Sequence, residues 1–120
     1  MNLSRFSEVN RSRCEAPDGF AHRLSSWSLS DWMTATLGEL GEAANVVKKL
    51  NRVRDDMERF NMGIAADVLR DQLADELADA AIYLDLMCQA AGLDLSTIMA
   101  AKFNKTSKKH GCPILFEDAP

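Results

Sequence analysis

From Ala80 to Ala91 only Asp85 and Gln89 are strongly polar, and both fall within one narrow sector of a helical projection. A helix apolar on most of its sides must be covered on most of its sides. Ala78, Ala81, Ile82, Leu86 and Ala90 carry the apolar surface well past the stripe of Leu73, Leu77, Leu84 and Met87. The few helices of a 120-residue chain cover one stripe but hardly that circumference. The sequence therefore predicts an all-α fold, a helical bundle whose core is completed by oligomerisation. The expected assembly is an obligate homo-oligomer, at least a dimer, in which a symmetric partner supplies the equivalent helix. β-branched residues are few and no alternating apolar run is present, which argues against a sheet.

Punctuation along the chain divides it into one domain with flanks. Residues 1–26 form an N-terminal extension in which Leu3 to Arg13 has the pattern of a short amphipathic helix, broken by Ala16, Pro17, Asp18 and Gly19. A core spans 27–110. In it Ser28, with Asp31 three residues on, resembles a capping box, and a helical pattern runs to about Leu50. Asn51 to Gly63 is charged and reads either as a helix extension or as a loop. The pattern resumes at Ile64 and runs to Ala91, where Gly92 stops it; Asp94 or Ser96 caps a last helix ending near His110, before Gly111 and Pro113. Residues 111–120 are a tail.

Charge is segregated. Lys48 to Arg54 holds four bases and no acid, Asp71 to Ala101 six acids and no base, and Lys102 to His110 four lysines and no acid. A net charge of -4 argues against nucleic-acid binding, which depends on neutralising phosphates with Lys and Arg. Phosphates remain accessible to an acidic chain through a divalent cation. No uncharged stretch approaches the length of a membrane span, and Arg5, Glu8, Arg11 and Arg13 stand where a secretory signal would be apolar. Cys14, Cys88 and Cys112 lack zinc-ligand spacing and read as reduced thiols, so the expected location is cytoplasmic.

Projected at 100° per residue, the first long helix gathers Met33, Leu37, Leu40, Ala44 and Val47 on one stripe, widened by Trp32, Ala43, Val46 and Leu50. Glu39 falls inside the widened arc and Glu42 at its edge. On the second long helix the stripe is Leu69, Leu73, Leu77, Ala80, Leu84, Met87 and Ala91; Glu76 projects into it and Asp79 sits at its margin. Asp71 and Asp85 fall on the far side, where a solvated acid belongs. Glu39/Glu42 and Glu76/Asp79 are thus two pairs at i, i+3 spacing, biased toward the core. No Lys or Arg lies at i±3 or i±4 of Glu39 or Glu76 to neutralise them. A hard cation held by carboxylate oxygens would do so, with Mg²⁺ taking its remaining ligands from water and substrate phosphates. A structural polar network is the alternative.

Gly38-Glu39-Leu40-Gly41-Glu42, then Glu76-Leu77-Ala78-Asp79, then Ala80-Ala81-Ile82-Tyr83-Leu84 and Gly92-Leu93-Asp94-Leu95, resemble the MazG-type all-α nucleoside triphosphate pyrophosphohydrolases, whose signature is ExxE followed by ExxD. The resemblance runs from about Trp27 to His110 and points to a homo-oligomer that is a dimer or a tetramer. It implies Mg²⁺-dependent cleavage of a nucleoside triphosphate to the monophosphate and pyrophosphate, with Mn²⁺ as a substitute cation. Glu39, Glu42, Glu76 and Asp79 would be the metal-holding and catalytic residues, and water the nucleophile. Lys102 matches a lysine of related sequences. Asn104 lies two residues before the position of a frequent asparagine, here Thr106, and Asn45 stands where a further acid is common. The 33 residues between Glu42 and Glu76 make a long connection.

Other residues carry paired readings. Trp32 can stack on a nucleobase or belong to the core, the core being favoured. Tyr83 can place a hydroxyl near the metal or be a satisfied core tyrosine. Lys49 and Lys48 can reach phosphates or be solvated. Met33, Met87 and Met99 read as core filler. The tentative substrate contacts are Lys102, Asn104, Lys49, Tyr83 and Trp32, and the neighbouring chain is expected to add base-contacting residues. An alternative function is a non-catalytic helical oligomer that binds nucleotides or a protein partner. A di-iron bundle is disfavoured, because Gly19 and Ser107 stand three residues before the two histidines, where ExxH needs an acid.

Overall fold

A computed structural model describes residues 1–55, 63–117 and 119. Four α-helices follow one another: α1 (Leu3–Glu15), α2 (Leu29–Asp55), α3 (Gly63–Ala90) and α4 (Leu95–Lys109), with a 3-10 turn at Leu24–Ser26 before α2. Among the described residues there is no strand, so the fold is all-α. No helix is long and apolar enough to cross a membrane among those residues. The ambiguous segment Asn51 to Gly63 begins as a helix extension through Asp55, and its residues 56–62 lie outside the described residues.

Local chemistry sets the helix ends. Asn2 Oδ1 accepts the Arg5 amide at 2.7 Å and opens α1. Ser28 and Asp31 form the expected reciprocal cap: the Asp31 amide donates to Ser28 Oγ at 3.2 Å and the Ser28 amide to Asp31 Oδ2 at 2.9 Å. Asp94 caps α4 by accepting the Thr97 amide at 2.8 Å and the Thr97 hydroxyl at 2.6 Å. Both α3 and α4 stop at a glycine in the left-handed region, Gly92 at φ 72° and Gly111 at φ 65°. In each case the next residue donates back to the helix, Leu93 to the Cys88 carbonyl at 2.8 Å and Cys112 to the Ser107 carbonyl at 2.9 Å, which completes a Schellman motif.

The chain divides into two compact units, Met1–Trp27 with Asp85–Pro120, and Ser28–Leu84. The first packs α1, the last turns of α3 and α4 around Cys14, Leu24, Leu86, Cys88 and Leu95. Its centre is polar, and here the expectation of a solvated Asp85 is overturned. Asp85 is 0% exposed. Oδ1 accepts the Ser7 hydroxyl, while Oδ2 accepts Asn10 Nδ2 at 2.8 Å and Gln89 Nε2 at 3.0 Å. Gln89 Nε2 also reaches the Ser7 carbonyl at 3.0 Å. The far side of α3 is therefore where α1 docks, and three neutral donors compensate a buried carboxylate. All three cysteines are free; burial foremost pushes the Cys14 and Cys88 thiols up, which keeps them unreactive.

The second unit pairs α2 with the first part of α3. Glu39 meets Glu76, and Trp32 lies 6.3 Å from Tyr83 between ring centroids, so the two helices run antiparallel. The seam on α2 is Trp32, Thr36, Ala43, Val46 and Val53, all buried. This corrects the expected core stripe: Met33, Leu37, Leu40 and Val47 are all exposed, as are Leu77 and Leu84 on α3. Met33 and Met99 are likewise exposed and do not fill a core, whereas Met87 is half-buried. The apolar arc of α2 is wide enough for two neighbours, and within the chain only its Trp32 side is used.

Candidate metal centre

Glu39 falls in the middle of the buried arc of α2, with Trp32 and Ala43 on either side along the helix. Glu76 occupies the equivalent position on α3, between the half-buried Leu73 and the buried Ala80. Each is half-buried, while their i+3 neighbours Glu42 and Asp79 are exposed on the rim. Each of Glu39, Glu42 and Glu76 offers one carboxylate oxygen, and these three atoms lie within 4.8 Å of one another. Asp79 stands outside that set of three, yet its negative charge acts on both Glu39 and Glu76.

The electrostatics are those of acids crowded without relief. Burial foremost, then the charge and hydrogen bond of Glu42 and the charge of Asp79, pushes Glu39 above the usual carboxylate range; a hydrogen bond with Glu76 opposes them. Glu76 is also pushed up, first by its hydrogen bond with Glu42, then by burial and the charges of Glu42, Glu39 and Asp79. Oε2 of Glu39 and Oε2 of Glu76 are withdrawn from water with no hydrogen-bond partner. Among the described residues no Lys or Arg pairs with these acids; the ion pairs are Arg5–Glu8, Arg11–Glu15 and Arg54–Asp55. Three carboxylate oxygens gathered within 4.8 Å could hold a metal ion, and oxygen-only donors suit a hard divalent one.

The other sequence candidates fall differently. Trp32 is 1% exposed, so its indole packs in the seam near Tyr83 and is closed to a nucleobase. Tyr83 is half-buried beside it. Lys49 is exposed on α2, one helix with Glu39 and Glu42. Lys102 and Asn104 belong to the first unit, on α4. Lys102 is exposed. Asn104 is buried and engaged: its Nδ2 donates to the Phe116 carbonyl at 2.9 Å and its Oδ1 accepts the Phe116 amide at 2.8 Å. That side chain holds the tail against α4, where Phe116 also packs edge-on against Phe103 at 5.0 Å. Asp85 is the polar residue that helical projection missed, since its donors Ser7 and Asn10 come from a helix over 70 residues away in sequence.

No family model, curated protein or solved structure matches the chain.

Proposed function

We propose that the chain is a divalent-cation-dependent nucleoside triphosphate pyrophosphohydrolase of the MazG-like type, releasing the monophosphate and pyrophosphate. The observation that carries this reading is the convergence of Glu39, Glu42 and Glu76, with carboxylate oxygens within 4.8 Å and, among the described residues, no basic side chain paired to them. Glu39, Glu42 and Glu76 would hold the cation, Mg²⁺ by preference and Mn²⁺ as a substitute, with Asp79 on the rim. When bound, the cation supplies neutralisation of the carboxylates and of the triphosphate, and lowers the pKa of water. The residues do the rest. Half-burial of Glu39 and Glu76 fixes their carboxylates between two packed helices, and the exposed Glu42 and Asp79 leave the centre open to a polyanionic substrate. A carboxylate of this set, raised above the ordinary range, is suited to accept a proton from the attacking water. Exposed Lys49, on the same helix as Glu39 and Glu42, is a candidate phosphate contact.

Incubation with Mg²⁺ and a panel of nucleoside triphosphates, resolved by chromatography, tests the reading. Monophosphate plus pyrophosphate is expected, with Glu76→Gln inactive. Diphosphate plus orthophosphate would refute the assignment. No turnover of any nucleotide would favour the other reading, a non-catalytic helical oligomer.

A further inference from the structure

From Leu95 to Phe116 the chain holds four lysines and no acid. On α4, Ile98, Met99, Lys102, Phe103, Lys105 and Lys109 are all exposed and fall within about half of the helix circumference, opposite the buried Asn104 and Ser107. Within that arc the three lysines gather along one edge with Ile98, and Met99 and Phe103 lie along the other. The tail adds three consecutive large apolar residues, Ile114, Leu115 and Phe116, which are 68%, 41% and 57% exposed. Both ends of this segment are held. The Cys112 amide donates to the Ser107 carbonyl, Asn104 bonds both the amide and the carbonyl of Phe116, and the Phe116 ring packs edge-on against Phe103. A buried asparagine therefore keeps hydrocarbon at the surface, where a contiguous apolar patch marks an interaction site.

We propose that the outer half of α4 and the tail segment 112–116 dock on the surface of a lipid bilayer that carries anionic headgroups. The lysines meet the headgroup charge, and Ile114, Leu115 and Phe116 enter the acyl boundary beneath it. Charge complementarity selects the sign of the surface. Lysines with no acid among them match an anionic plane, and their ammonium groups reach the headgroups while their stems lie on hydrocarbon. The apolar residues select its kind. Charge alone would serve any polyanion, whereas neighbouring large apolar side chains are stabilised by leaving water for acyl chains and gain nothing from a phosphate backbone. A net charge of -4 and the absence of arginine from Leu95 to Phe116 also disfavour nucleic acid. Asn104 and Ser107 stay buried within their own unit, so α4 meets the lipid by its exposed half with no change of fold.

The inference rests on exposure and charge and is independent of the catalytic reading. Co-sedimentation with vesicles tests it, phosphatidylcholine alone against phosphatidylcholine with a third of its lipid replaced by phosphatidylglycerol. The wild type is expected to sediment with the mixed vesicles, less so at high salt, and to stay in solution with the neutral ones. Lys105→Gln combined with Lys109→Gln is expected to weaken binding by about fivefold per lysine. Ile114→Ser combined with Leu115→Ser is expected to weaken it roughly tenfold at unchanged charge, with helix content by circular dichroism retained because both residues are exposed. If that variant loses its helices, Ile114→Ser alone takes its place. A wild type that ignores the mixed vesicles, equal binding to both kinds, or a serine variant that binds as the wild type does would overturn the proposal. So would retention on single-stranded DNA that the serine substitutions weaken equally, because the same side chains would then serve a nucleic acid.

Discussion

A single buried carboxylate fastens α1 to the end of α3. Asp85 takes hydrogen bonds from Ser7, Asn10 and Gln89, so a residue without an acceptor at that place weakens the attachment of α1. Asp85→Leu should destabilise by about 2–4 kcal/mol: the Ser7 hydroxyl keeps the Leu3 carbonyl and Gln89 Nε2 the Ser7 carbonyl as acceptors, and a donor left unsatisfied costs about 1–3 kcal/mol. Asp85→Asn, whose amide oxygen can accept from Asn10 and Gln89 while its amide nitrogen faces the Ser7 hydroxyl, should cost less than half of that. Urea denaturation of both variants checks the ranking; equal losses would mean that shape rather than acceptor chemistry holds α1. The contrast with Glu39 and Glu76 is instructive. Helical projection finds those two because they interrupt an apolar arc on their own helix, whereas the partners of Asp85 come from a helix that no local pattern connects to it.

At the scale of elements, the caps were legible almost residue by residue. Ser28 with Asp31, Asp94 with Thr97, and the glycines 92 and 111 each act within a few residues of themselves, which is the range over which sequence dictates geometry. Asp94 is held below the usual carboxylate range, foremost by the Thr97 hydroxyl and then by the Thr97 amide. A lowered folded-state value means that its stabilising contribution is present above the ordinary Asp range and is lost as pH falls through the lowered one. Asp94→Ala should therefore lower the melting temperature at pH 7, by the equivalent of about 1 kcal/mol, and the difference from wild type should shrink toward pH 2–3. Thermal melts across that range measure it. The packing of α2 was less legible for a definite reason. Periodicity ranks Met33, Leu37, Leu40 and Val47 as the apolar stripe, but the intrachain seam uses the adjoining arc, where Trp32 is 1% exposed. An apolar arc broad enough for two neighbours does not say which neighbour belongs to the same chain.

For the whole molecule, crowded carboxylates couple stability to protons and, through the proposed centre, to cations. Glu39 and Glu76 have folded-state values above the ordinary glutamate range, so the native state holds protons that the unfolded chain releases. Their contribution is present below the ordinary value and is lost as pH rises through the raised one. The metal-free protein should thus melt lower at pH 8 than at pH 5.5 to the extent these two groups dominate, and Glu39→Gln or Glu76→Gln should remove part of that slope and raise the melting point at pH 8. Millimolar Mg²⁺ or Mn²⁺ should restore the wild type at pH 8 far more than at pH 5.5, because ions and protons compete for the same oxygens. Calorimetric scans with and without cation test both signs; a cation effect independent of pH would mean that the ion binds elsewhere. The arrangement of the hairpin, acids on one side and hydrocarbon on the other, has a further consequence for how such a chain can change over time. Substitutions on opposite sides share few contacts, so their effects should combine nearly additively. A lineage could alter one side of the hairpin without relearning how to fold the other.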